Sequence, residues 1–180
     1  RAALPRASIL GLGNVLLGDD AFGPATIATF RAQYEFGADI EIHDLGTPGL
    51  DLAPYLCGRE FVVIVDAVHA EGAPGSVHTY RESDLLKSLA QLRLTDHDQG
   101  LQECLMQLRL TDCAPRELLV VGVIPESCVF GEGVGSAVNA AISVAIDRIV
   151  CLLWERGFAC RKRSEPIRTE LWWESIPQIC

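Results

Sequence analysis

No C-x-x-C pair occurs among the seven cysteines, Cys57, Cys104, Cys113, Cys128, Cys151, Cys160 and Cys180. Their odd number and scatter give no disulfide framework, so reduced thiols in a cytoplasmic setting are the expectation. The first residues, RAALPRASILGLG, lack the apolar core of a secretory signal. No apolar run is long and unbroken enough for a membrane span. The longest, Ala137 to Trp154, is interrupted by Asp147 and Arg148 and reads as a buried helix. Positive charge is in deficit, with a net charge of -9 at pH 7. An acidic surface repels phosphate backbones, which argues against a nucleic-acid partner.

Several catalytic signatures are missing as well. GLGNVL has Leu16 where a dinucleotide fingerprint needs its third glycine. There is no G-x-x-x-x-G-K-[ST], so nucleotide binding is not supported and the glycines suit a tight turn. G-x-S-x-G and H-E-x-x-H are both absent, which removes the usual serine-hydrolase and zinc-peptidase patterns.

Alternation of apolar strands with amphipathic helices fills the chain instead. Strands are predicted over Ala7 to Gly11, Asp39 to Leu45, Glu60 to Val65, Val77 to Tyr80 and Leu118 to Val123. Helices are predicted over Ala21 to Tyr34, Leu50 to Cys57, Asp98 to Leu110 and Val134 to Arg156. The pattern predicts a three-layer α/β sandwich, with a twisted, mostly parallel five-stranded sheet between helix layers. With 180 residues and no linker, residues 1–158 are expected to form a single α/β domain and 159–180 a C-terminal tail. The tail carries Trp172 and Trp173, expected to fold back onto the domain.

Three polar residues break the apolar pattern. Asp20 closes GLGNVLLGDD, Asp66 follows FVVIV, and His97 opens HDQGL. Each is expected where the carboxyl edge of a parallel sheet gathers ligands. Two carboxylates and an imidazole there would make a divalent-metal site with open positions. The plainer roles are an N-cap for Asp19 or Asp20, a loop cap for Asp66 and a surface histidine for His97. His69, three residues past Asp66, is the best substitute ligand.

The motifs GLGNVLLGDDAFG, DLGTPGL, VIVDAV, HDQGL and VVGVIPES together resemble those of the hydrogenase maturation endopeptidases, in the family's order. The resemblance implies a protease that removes the C-terminal extension of a nickel-iron hydrogenase large-subunit precursor. It also implies that Asp20, Asp66 and His97 are the catalytic, metal-gripping residues, and that Asp44 takes part in substrate recognition. The metal would be Ni²⁺, carried by the substrate precursor rather than held as a resident cofactor. The alternative is a nickel-sensing or precursor-binding module of the same fold that does not cut.

Overall fold

The computed structural model describes residues 5–48, 51–87, 93–94 and 98–175. Five strands line up in the order β3 (Ile40–Gly46), β1 (Ala7–Leu12), β4 (Phe61–His69), β7 (Glu117–Val123) and β5 (Val77–Arg81). Pairing is parallel throughout except for β5, the antiparallel edge. A short strand, β6 (Arg93–Leu94), pairs antiparallel with the end of β4. The mixed five-stranded sheet between helices is the architecture expected from the sequence.

Side-chain alternation along each strand divides the core into two layers. Ala7 and Ile9 of β1, with Val63, Val65 and Ala67 of β4, pack against α1 (Phe22–Gln33) and α5 (Ser136–Glu155). Leu10, Leu12, Val62, Ile64 and Val68 face the other way, toward α2 (Ala53–Leu56) and α4 (Asp98–Leu110). Because β1, β4 and β7 are covered on both faces, their buried positions are almost all apolar, Ser8 and Asp66 being the polar exceptions. Among the described residues, α5 is the helix long and apolar enough to cross a membrane. Its inner face, from Val138 to Leu153, packs into the core.

Three close approaches bring α1 against the strand ends. A Cβ on Gly11 would lie 2.5 Å from Cγ1 of Ile27, and one on Gly23 would lie 2.1 Å from the Leu12 carbonyl. Gly13, at φ 135°, would place a Cβ 1.9 Å from the Asp20 carbonyl. These glycines let the helix sit tightly on the sheet.

Some boundaries differ from expectation. β4 continues through Asp66 to His69, because Asp66 and Ala67 still pair with Gly122 and Val123 of β7. The second helix is a single turn, Ala53–Leu56, after which Gly58 turns the chain at φ 68°. Sequence periodicity missed α3 (Glu82–Lys87), β6 and the two-stranded ribbon of β2 (Tyr34–Phe36) and β8 (Cys160–Lys162), each too short to show a period. The chain after Phe158 therefore begins as a paired strand. The expectation of wholly reduced thiols is corrected by a disulfide between Cys57 and Cys113, Cα atoms 4.9 Å apart and 56 residues apart in sequence. Only the fold brings the end of α2 to the turn after α4. Cys104, Cys128, Cys151 and Cys160 are free.

Candidate active site

The loop from β1 into α1 forms one wall of the site. Leu17 bends into a 3-10 turn, Gly18–Ala21, in which Asp19 and Asp20 are both buried. Neither aspartate caps its own helix, so the N-cap role does not apply. Asp19 instead reaches the loop between β7 and α5. Its Oδ2 accepts the amides of Glu126 at 2.8 Å and Ser127 at 3.1 Å, and its Oδ1 accepts that of Gly135 at 2.7 Å.

Asp20 turns back toward β1, and its Oδ2 accepts the Asn14 amide at 2.7 Å. Its Oδ1 is buried with no hydrogen-bond partner among the described residues. A buried carboxylate oxygen left in that state is costly, which marks it as the atom with spare coordinating capacity.

Asp66 is fully buried on β4 and its Oδ1 accepts the Ala67 amide at 2.8 Å. Alternation puts it on the same face as Ile64 and Val68, the face covered by α4. His69 falls on the opposite face and is exposed, so it does not share a pocket with Asp66. His97 lies outside the described residues. Its described flanks are Leu94, paired with Val68, and Asp98, the first residue of α4.

Cys128, on the loop that Asp19 fastens, ties these groups together. Burial pushes its thiol up to about 11, and the charges of Asp20, Asp19 and Asp66 push the same way, partly offset by a hydrogen bond from the Asp20 backbone. All three carboxylates therefore act electrostatically on this one thiol. Sequence reasoning missed Cys128, since no motif spacing marks it. Among the described residues, no group of three or more His, Cys, Asp or Glu side chains is arranged to hold a metal ion.

Asp44 stands on the same carboxyl edge. It pairs with Gly11 of β1, which pairs in turn with Val65, the neighbour of Asp66. Its phase matches Ile40 and Ile42, so it faces the α1 layer. Oδ1 accepts the Gly46 amide at 3.1 Å, and Oδ2 accepts the Trp172 indole N–H at 3.0 Å.

A profile of the hydrogenase maturation proteases matches residues 24–152. The chain belongs to that family. It is 34% identical over 153 residues to the hydrogenase 2 maturation protease of Escherichia coli strain K12, covering 84% of this chain and 93% of the relative. It is 31% identical over 160 residues to the hydrogenase expression/formation protein HupM of Azotobacter chroococcum mcd 1, covering 88% and 77%. The solved structure of the hydrogenase-maturating endopeptidase HybD from E. coli superposes with a TM-score of 0.82 at 33% identity, covering 88% of this chain and 98% of that one. This family member is thus a peptidase with the HybD fold, and the binding-only alternative has no support.

Proposed function

We propose that this hydrogenase maturation protease removes the C-terminal extension of a nickel-iron hydrogenase large-subunit precursor after nickel has been inserted, and that Asp20, Asp66 and His97 grip the nickel carried by that substrate. The observation that carries the reading is the buried Oδ1 of Asp20, without a hydrogen-bond partner among the described residues; the charges of Asp20 and Asp66 both act on the Cys128 thiol. Carboxylates suit a hard or borderline divalent ion. Two carboxylates and one imidazole hold a free ion loosely, so a nickel already bound by the precursor would supply the missing donors.

Peptide hydrolysis adds water across the C–N bond. The hydroxyl goes to the acyl carbon and the proton to the departing amine. Bound nickel would supply charge that polarises the scissile carbonyl or orients the peptide. Asp20 or Asp66, when not coordinated, would accept the proton of the attacking water. Asp44 at the sheet edge would recognise the precursor.

The test compares one precursor with and without nickel. Cleavage is expected only of the nickel-loaded form, and generic peptides should survive even with added zinc. Equal cleavage of both precursor forms would refute recognition of substrate-borne metal.

A further inference from the structure

We propose that Trp172 is an internal occupant of the Asp44 carboxylate, so that the C-terminal tail latches the recognition edge until the precursor displaces it. This rests on the proposed role of Asp44 in recognising the precursor.

The tail is led to Asp44 by a series of contacts. β8 pairs with β2, then the amides of Arg163 and Ile167 donate to the carbonyls of Gln33 and Ala32 at 2.8 and 3.0 Å. These fix the tail to the C-terminal end of α1. Five residues later the chain has reached the other end of β3, where Trp172 Nε1 donates to Asp44 Oδ2 at 3.0 Å. Trp173 anchors the position by packing against the α1–α5 core layer, with its ring edge-on to Trp172 at 5.7 Å.

The two tryptophans therefore differ in role. Trp173 is the partly buried anchor, whereas Trp172 remains 56% exposed. Its ring contributes little burial, and its distinctive contact is the N–H to Asp44. With the Gly46 amide on Oδ1, each carboxylate oxygen already accepts one donor. An incoming peptide N–H donor competes with the indole for Oδ2. A hydrogen bond to a charged group is substantial, but water competes for it at a half-exposed site. Such a contact screens weak ligands and yields to a specific one.

The test uses full-length protein. Trp172→Phe keeps the ring and removes the donor. Its KM for nickel-loaded precursor should fall about threefold to tenfold, as expected for loss of one competing hydrogen bond, with kcat unchanged. A second arm reads the latch without catalysis. Trp154→Phe and Trp173→Phe, in an otherwise unaltered chain, leave Trp172 as the sole tryptophan of the protease, and its emission is read by rapid mixing before cleavage. Its fluorescence should shift when precursor is added, and Asp44→Asn should change that emission with no precursor present. An unchanged KM in Trp172→Phe, or precursor binding that leaves Trp172 emission unmoved, would overturn the latch. Failure of wild-type protein to bind or cleave any precursor would instead overturn the proposed function.

Discussion

Asp19 and Asp20 are neighbours whose carboxylates serve different parts of the fold. Asp19 takes three backbone amides from the loop between β7 and α5, whereas Asp20 takes one amide from its own loop and keeps Oδ1 buried with no partner among the described residues. The first is a structural clamp and the second has capacity to spare. Asp19→Ala should lower stability by about 1–3 kcal/mol, since it strands partly buried donors. Asp20→Asn retains an acceptor for Asn14, so stability should change by less than about 1 kcal/mol while precursor cleavage is lost. Urea unfolding and a cleavage assay on both variants separate the roles, and a reversed pattern would sink the assignment.

Asp66→Asn tests the second carboxylate. The amide oxygen still accepts the Ala67 N–H, and volume is unchanged, so the melting temperature should move little. Cleavage of nickel-loaded precursor should fall about 100-fold or more, as for loss of a charged group acting at the reacting centre. Wild-type turnover by this variant would remove Asp66 from the site.

Away from the site, Arg59 holds the start of the sheet to α2. Its side chain bonds Ser8 at 3.0 Å, Glu41 at 2.7 Å, and the carbonyls of Cys57 and Pro54. Both Ser8 and Arg59 are buried. Arg59→Ala should destabilise the protein by about 1–3 kcal/mol by removing the charged partner of Glu41 and the donors to Cys57 and Pro54, measurable by denaturant unfolding.

The same network predicts a pH dependence. Burial pushes the Glu41 carboxyl up, but hydrogen bonds from Ser8, Arg59 and His43 and the Arg59 charge outweigh it and hold it below its ordinary value of 4.5. A carboxyl depressed in the folded state contributes stability that is fully present above pH 4.5 and lost as pH falls through the depressed folded value. Glu41→Gln should flatten that acid limb in melting temperature against pH. An unchanged acid limb would mean that other carboxylates dominate it.

Cys128 should be a poor nucleophile despite its position. With the thiol near 11, only about one part in a thousand is thiolate at pH 8. Iodoacetamide should therefore label exposed Cys151 well before Cys128, as peptide mass mapping would report. Cys128→Ser should keep cleavage within an order of magnitude of wild type. Abolished cleavage in a folded variant would point to a direct role for the thiol.

Strand and helix positions were largely legible because both periods are strong here. FVVIV, short and rich in β-branched residues, reads as a strand covered on both faces, and the leucines of α4 repeat at helical spacing. Asp20 and Asp66 stood out as carboxylates beside apolar runs, a costly placement without a partner. The short pieces were illegible for the converse reason. β2, β6 and β8 are two or three residues long, and pairing rather than periodicity makes them strands. The strand end before Asp66 was misjudged because a buried charge looks like an edge, whereas pairing to β7 and then β6 carries β4 four residues past Val65.

By itself the sequence determined the α/β layering and the family, and it singled out the two carboxylates proposed for the site, since local hydrophobic period and ordered motifs are properties of neighbouring residues. Relations between residues far apart in the chain were decided by tertiary structure alone. Asp19 grips amides more than a hundred positions away, Cys57 meets Cys113, Cys128 comes under the charge of three aspartates, and Trp172 lands on Asp44. No local pattern encodes such distances, because they depend on the packing of whole layers and on glycines that let α1 close against β1.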